Sequence, residues 1–110
     1  MSASDQPTQH FQQMAALAEA LQSLRAEISE HHYHGETSGS WWVLVRYQGV
    51  RMQLAFDGRD SLLTLRCSAS RMRPDDWGPG VWTKLHREAM FPVSEIVRAI
   101  QEAVAGQHDR

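Results

Sequence analysis

The sequence of 110 residues predicts an α+β protein, a two-layer sandwich in which two helices cover one face of an antiparallel sheet. Three observations predict this class. Apolar residues recur every three or four positions near the N-terminus and again near the C-terminus, which is the period of an amphipathic helix. Between these segments, residues 41–67 have an apolar residue at every second position of each predicted strand, which is the period of a half-buried strand. We therefore expect one domain over residues 1–110, with frayed ends at about 1–6 and 107–110.

The first predicted element is a long helix over residues 7–33. Its apolar stripe has spacings of three and four and consists of Met14, Leu17, Leu21, Leu24 and Ile28. Gly35 is the expected left-handed residue after the helix, so the stretch "EHHYHGE" at 30–36 becomes its C-terminal turn. Packing of the stripe into a core is favoured. A helix this long could instead pair with a copy of itself, which would make the protein a homodimer.

A three-stranded meander follows, and the alternation sets its register. Gln48-Gly49 is a two-residue turn candidate that places each apolar residue opposite another, in the pairs Tyr47–Val50, Val45–Met52, Val43–Leu54 and Trp41–Phe56. A second turn around residues 57–60 leads to the third strand. A loop of two or four residues there puts Leu63, Leu65 and Cys67 on the apolar side, whereas a loop of three residues would put polar side chains there.

The chain after the meander predicts a long loop and a final helix. "RPDDWGPG" is a turn-rich loop that carries Trp77, and residues 81–87 form either a short fourth strand or extended chain. The closing helix has one apolar stripe, formed by Val93, Ile96, Val97, Ile100 and Val104. It is expected to begin at Pro92 or Ser94 and to end at Gly106.

The composition and the absence of known motifs indicate where the protein is expected to lie in the cell and which kinds of activity it is expected to lack. No apolar run approaches the ~18 residues that span a bilayer, and "MSASDQPTQHF" lacks the basic and apolar segments of a leader, so we expect a cytoplasmic protein without membrane contact. Cys67 is the single cysteine and is predicted to lie in the core, where a thiol is unreactive. The sequence shows no hydrolase, nucleotide-binding or paired-carboxylate motif, so we expect neither enzymatic activity nor a cofactor.

Charge points to one side of the predicted sheet as a binding surface. Residues 1–40 hold five acids and one arginine, whereas residues 41–73 hold six arginines and two acids. Because successive residues of a strand point to opposite sides of the sheet, the side that faces away from the predicted core carries several arginines and some apolar residues. We call this side the outer face. Arginine and tryptophan are favoured at protein interfaces, and lysine, which is depleted there, occurs once in the chain. The predicted partner-binding residues are Trp42, Leu44, Arg46, Arg51 and Arg66, with Trp77 from the loop.

The outer face has two alternative interpretations. Long arginine stems can cover exposed apolar side chains without any partner. The same arginines and tryptophans could bind phosphates and stack bases, although the net charge of −2 and the acidic N-terminal segment favour a protein partner.

The histidines of "EHHYHGE" predict at most a weak metal site. On a helix, His31 and His34 would share one face, which supplies two ligands. A zinc site needs further ligands, for which His10, His86 and Glu88 are available. The alternative is that histidines near a helix C-terminus are favoured by the helix dipole.

The predicted order of elements resembles that of the double-stranded RNA-binding domain in topology. Such a domain carries a basic cluster at the start of its last helix, where this chain has Glu95 and one arginine, Arg98. Small bacterial immunity proteins, phage-encoded inhibitors and secretion chaperones are similar in size and layout. We therefore predict a small non-enzymatic protein-binding module of the inhibitor, immunity or chaperone type, with nucleic-acid binding as the alternative.

Overall fold

The computed structural model describes residues 5–34, 40–68, 77–86 and 91–108. The helices are α1 (Asp5–Gln22) and α2 (Val93–His108), and the strands are β1 (Glu27–His34), β2 (Ser40–Tyr47), β3 (Val50–Asp57), β4 (Leu62–Ser68) and β5 (Trp77–Leu85). The expectations for Gly35, for the loop residues 69–76, for Glu88 and for the outermost ends of the chain lie outside the described residues.

The α+β class is confirmed, but the sheet has more strands than the sequence predicted. Five strands lie in the order β1-β2-β3-β4-β5, and each is antiparallel to its neighbours in the chain. Both helices pack on one face of this sheet. The predicted meander therefore forms the centre of the sheet, and one further strand lies on each side of it.

The prediction of one helix over residues 7–33 is wrong, because α1 ends at Gln22. The amide of Ala26 donates to the carbonyl of Leu21, and the amide of Arg25 donates to that of Gln22. These are the two hydrogen bonds of a Schellman motif, with Arg25 as the left-handed residue at a φ of 63°. Ala26 and Leu21 are both buried, as the apolar contact of this motif requires. No glycine marks the end of the helix, so the residue types do not indicate a stop there.

The described part of the stretch that was predicted to end this helix, residues 30–34, belongs instead to strand β1. Ile28, His31 and Tyr33 pair with Val45, Val43 and Trp41 on the core side of β2. A bulge between Ile28 and Glu30 shifts the register by one residue. The shift breaks the strict alternation of a strand, while Leu24 and Ile28 continue the helical spacing of the preceding residues. Because of the bulge and the continued helical spacing, the sequence pattern did not predict β1.

The β2–β3 hairpin and the position of β4 are confirmed. The pairs Tyr47–Val50, Val45–Met52, Val43–Leu54 and Trp41–Phe56 all occur. Gln48 and Gly49 both have positive φ, 50° and 79°, as a type I′ turn requires. Phe56 pairs with Leu63 and Asp57 with Leu62, so the next loop has the four-residue length that was one of the two predicted.

The C-terminal elements are longer than predicted. Residues 81–87 were predicted to be either a short strand or extended chain, and the structure has a strand there, β5. This strand begins earlier than predicted, at Trp77, which was expected in a loop. Helix α2 passes through Gly106 and ends at His108, so the predicted stop at Gly106 is wrong.

The core lies between the helices and one face of the sheet. It is formed by Met14, Leu17 and Leu21 of α1, by Ile96, Ala99, Ile100 and Val104 of α2, and by the residues of β2, β3 and β4 that were predicted on the apolar side, including Leu63, Leu65 and Cys67. Cys67 is buried and makes no disulfide, as expected. Lys84 of β5 pairs with Glu95 in the first turn of α2 and joins the two layers at their edge. Within the described part of the chain, no helix is long and apolar enough to cross a bilayer.

Candidate functional site

The outer face of the sheet is covered by neither helix, and three central strands place its side chains in rows. Alternate residues of a strand point to the same side, so the outward residues are Ser40, Trp42, Leu44 and Arg46 on β2, Arg51, Gln53, Ala55 and Asp57 on β3, and Leu62, Thr64 and Arg66 on β4. The predicted surface residues of these strands are therefore brought together. Trp42, Arg51 and Arg66 are half-buried, and Arg46 is exposed.

Leu44 differs from the prediction for this surface. It lies on the outward side of β2, yet its side chain is only 6% exposed. Its cross-strand neighbours are Glu30 on β1 and Gln53 on β3, whose longer side chains flank it. Leu44 is therefore covered by its neighbours and exposes little area that a partner could contact.

The arginines of the outer face are arranged at a cost to the free protein. Arg46 and Arg51 are directly opposite each other on β2 and β3, and like charges in that position are destabilising by a few tenths of a kcal/mol. Glu27 lies opposite Arg46 on the other side. Among the described residues, Lys84–Glu95 is an ion pair and His32 lies 3.5 Å from Glu30, whereas Arg46, Arg51 and Arg66 have no carboxylate within ion-pair distance.

Trp77 is brought to the outer face by β5. The guanidinium carbon of Arg51 lies 6.0 Å from the centroid of the Trp77 ring, at the outer limit of a cation–π contact. Trp77 pairs with Ser68 at the end of β4, so its ring reaches across that strand towards β3. Arg51 of the central strands and Trp77 of β5, both predicted to bind the partner, thus lie beside each other.

Strand β1 adds residues to the outer face that the sequence analysis missed. The ring of His32 stacks on the indole of Trp42, with centroids 4.0 Å apart and planes 19° apart. The Nε2 atom of His32 lies 3.5 Å from a carboxylate oxygen of Glu30. With Glu27, these residues make the β1 side acidic, whereas the arginines lie over β2 to β4. The residues of β1 that point to the core are Ile28, His31 and Tyr33, and they would have indicated a strand if they had alternated strictly. The bulge interrupts that alternation.

A depression of about 470 Å³ lies in the middle of the outer face. Its lining includes Trp42, Ala55, Leu62, Thr64 and Arg66. Ala55 and Thr64 are cross-strand neighbours with short side chains, and they lie between the larger Trp42 and Leu62. Trp42 and Arg66 were predicted on this side, but a cavity was not.

A pair of histidines lies on the opposite side of β1. The Nε2 atom of His10 on α1 lies 2.8 Å from the Nε2 atom of His31, a hydrogen-bond distance. In a neutral pair, one Nε2–H donates to the lone pair of the other ring. His10 is buried and stacks on Tyr33, with ring centroids 4.0 Å apart. Burial, and secondly the proximity of His31, lower the pKa of His10 to about 4. Burial, and secondly His32, lower the pKa of His31 as well.

The predicted pairing of His31 with His34 as metal ligands is wrong in its geometry. Both residues belong to β1, where positions three apart point to opposite sides of the sheet. His31 points inward to His10, and His34 is exposed beside Ser40. The described ranges contain no group of three or more histidine, cysteine, aspartate or glutamate side chains placed to hold a metal ion.

Comparisons of the chain with protein-family models, with curated proteins and with solved structures found no match. The side chains of the outer face are therefore the basis on which a function can be proposed.

Proposed function

We propose that the protein is a small non-enzymatic binding module, of the inhibitor, immunity or chaperone type, that acts by covering the surface of a partner protein with the outer face of its sheet. The residues that carry the proposal are Trp42, Arg46, Arg51, Arg66 and Trp77.

The observation that carries the proposal is that Arg46, Arg51 and Arg66 form no ion pair with any carboxylate in the described part of the chain. Arg51 and Arg66 are half-buried, and Arg46 lies directly opposite Arg51, which disfavours the free protein. An acidic side chain of a partner would turn this repulsion into two attractive contacts, and bidentate hydrogen bonds from arginine to carboxylate are among the stronger ones in proteins. Glu27, opposite Arg46 on β1, offsets part of this repulsion, whereas the residues of β4 (Leu62–Ser68) include no acid that could do so for Arg51. A local arrangement that costs stability is typical of a functional site.

The aromatic residues support the same function. Trp42 and Trp77 are half-buried and flank the arginines, so each keeps part of its ring open to solvent. Tryptophan and arginine are the residue types that most often dominate binding energy at protein interfaces.

A photo-crosslinking experiment tests which surface meets the partner. A photoreactive amino acid replaces Gln53 at the centre of the outer face, and in a matched control it replaces Gln101, which is exposed on α2. The proposal expects crosslinks from position 53 to one identified protein and few from position 101. Crosslinks to a second copy of the chain would identify a homodimer. Equal or stronger crosslinking from position 101 would contradict the proposal.

Nucleic-acid binding is the second candidate, and the contact between Arg51 and Trp77 favours it. An arginine beside an indole can bind a phosphate while the ring stacks on a base. Against it, Glu27 and Glu30 lie on the same side of the sheet and would repel a phosphate backbone. Binding of unrelated DNA or RNA that weakens steeply with salt would favour this candidate. A lack of retention on heparin at low salt would eliminate it.

A further inference from the structure

The depression on the outer face exists because two short side chains interrupt a row of larger ones. The row across the sheet reads His32, Trp42, Ala55, Thr64 and Thr83, each paired with the next. Neighbouring strands lie about 4.8 Å apart, so side chains in this row stand side by side. The two aromatic rings of this row are followed by a much smaller side chain, the methyl group of Ala55. The cavity of about 470 Å³ lies over these short side chains and extends to the end of the sheet at Ser40 and Arg59.

The orientation of Trp42 makes one wall of this cavity aromatic. His32 stacks on one side of the indole, with ring centroids 4.0 Å apart, and this contact fixes the plane of the ring. Because His32 comes from β1, the other side of the indole is turned towards β3, where Ala55 lies. A planar ring placed over Ala55 would extend the stack of His32 and Trp42 by one step. Stacked aromatic pairs contribute about 0.5–1.5 kcal/mol beyond their buried area.

The remaining walls combine an apolar side chain with positive charge. Leu62 lines the cavity on the β4 side, while Arg66 and Arg59 line its two ends. Asp57 also lines it, and one of its carboxylate oxygens accepts a hydrogen bond from the backbone amide of Arg59, 2.9 Å away. The lining therefore holds two positive charges and one negative charge, and the end at Arg66 is the more favourable one for an anion. A guest with a flat apolar part and a negative charge next to it would complement these walls.

We propose that this cavity is an anchor site that binds one aromatic side chain of the partner protein, flanked in the partner's chain by an aspartate or glutamate that contacts Arg66 or Arg59. The proposal rests on the proposed function of the outer face and adds the chemistry of the segment that is bound. The volume suits one side chain with its neighbours, since small-molecule and peptide pockets of this kind fall at about 300–1,000 Å³. A nucleobase with its phosphate is the competing guest, and the test includes it.

The test uses short blocked peptides as probes and nuclear magnetic resonance as the readout. N-acetyl-Asp-Phe-Asp-amide is titrated into ¹⁵N,¹³C-labelled protein. Saturable shifts are expected at the methyl groups of Ala55 and Thr64 and at the indole N–H of Trp42. N-acetyl-Asp-Ala-Asp-amide, which lacks the ring, and N-acetyl-Lys-Phe-Lys-amide, which reverses the charge, should each bind about tenfold more weakly or worse.

A variant that fills the cavity separates this site from the rest of the outer face. Ala55→Leu occupies the space beside Trp42 and should weaken binding of the aromatic acidic peptide by about tenfold or more. Thr83→Leu adds a leucine in the same row outside the cavity lining and should leave the affinity unchanged. Trp42→Leu, which removes the stacking wall without overfilling the cavity, should also abolish binding. Dispersed amide spectra of all three variants would show that they are folded.

Two results would overturn the anchor site. One is binding that does not depend on the phenylalanine ring or that survives Ala55→Leu. The other is stronger binding of an oligothymidylate at the same methyl groups, which would assign the cavity to a nucleobase. Either result is distinguishable from failure of the proposed function, because crosslinking from position 53 and charge reversal at Arg51 report on the outer face without requiring the cavity.

Discussion

Buried His10, which pairs with half-buried His31, makes the stability of the protein depend on pH, and replacement of His10 by phenylalanine should remove most of that dependence. The pKa of His10 is lowered to about 4, mainly by burial. The folded protein therefore keeps His10 neutral at a pH at which the unfolded chain, with an ordinary histidine pKa of about 6.5, binds a proton. The free energy of unfolding must fall as the pH falls from about 6.5 towards 4.

The size of the effect follows from the difference between the two pKa values. A shift of one pKa unit corresponds to about 1.4 kcal/mol, so His10 alone lowers the free energy of unfolding by about 2 kcal/mol between pH 7 and pH 5. His31 adds a loss in the same direction, because its pKa is also lowered. Aspartate and glutamate are mostly ionised over this interval, so the histidines dominate it.

Urea unfolding followed by tryptophan fluorescence at pH 7, 6 and 5 measures this dependence. His10→Phe keeps an aromatic ring stacked on Tyr33 but cannot take up a proton, so its loss between pH 7 and pH 5 should be about 2 kcal/mol smaller than that of the wild type. Thr83→Phe is the matched control, because it adds a phenylalanine at an exposed position of β5 without removing a titratable group, so the wild-type dependence should remain in place. A wild-type stability that is constant over this interval, or a His10→Phe variant that retains the full loss, would refute the reasoning.

Two further predictions test the fold. Arg25→Gly should raise the free energy of unfolding by about 1 kcal/mol, because glycine adopts the left-handed conformation that Arg25 holds at a φ of 63° without steric cost, and a lower stability would contradict the Schellman motif. Leu65→Ala should lower the free energy of unfolding by about 2–5 kcal/mol, since Leu65 is fully buried, whereas Leu62→Ala on the outer face should cost about 1 kcal/mol or less. Similar losses at both positions, measured by urea unfolding, would mean that the two faces of β4 are misassigned.

The β2–β3 hairpin was predictable to the residue, because two independent signals agreed. The alternation of apolar residues allows only registers that keep one apolar side, and Gln48-Gly49 supplies a two-residue turn. The four-residue loop before β4 followed from the same parity argument.

The end of α1 was not predictable from the same kind of signal. The Schellman motif uses Arg25 in a conformation that usually requires glycine, so the residue type gave no warning. Leu24 and Ile28 then continued the helical spacing by chance across the turn and into β1. The spacing rule for amphipathic helices failed there because it does not include the packing of Leu21 and Ala26 in the core, which favours a stop at this point.

The candidate site was predicted in part. Trp42, Arg46, Arg51 and Arg66 were assigned to one side because the parity of the central strands sets that side. The stack of His32 on Trp42 could not be inferred while residues 30–34 were assigned to a helix. The cavity depends on which short side chains are neighbours across β3 and β4, which the alternation alone does not reveal.

Charge reversal at Arg51 is the most direct measurement of the central claim that the outer face binds the partner. In the crosslinked partner's complex, isothermal titration calorimetry compares Arg51→Glu with Arg98→Glu, a matched reversal at an exposed position of α2. The new glutamate would lie opposite Arg46, so Arg51→Glu should unfold at the same or a higher urea concentration than the wild type. The account predicts that Arg51→Glu weakens the complex by about a hundredfold while Arg98→Glu leaves it unchanged. Equal affinities for the two variants, with both folded, would contradict it.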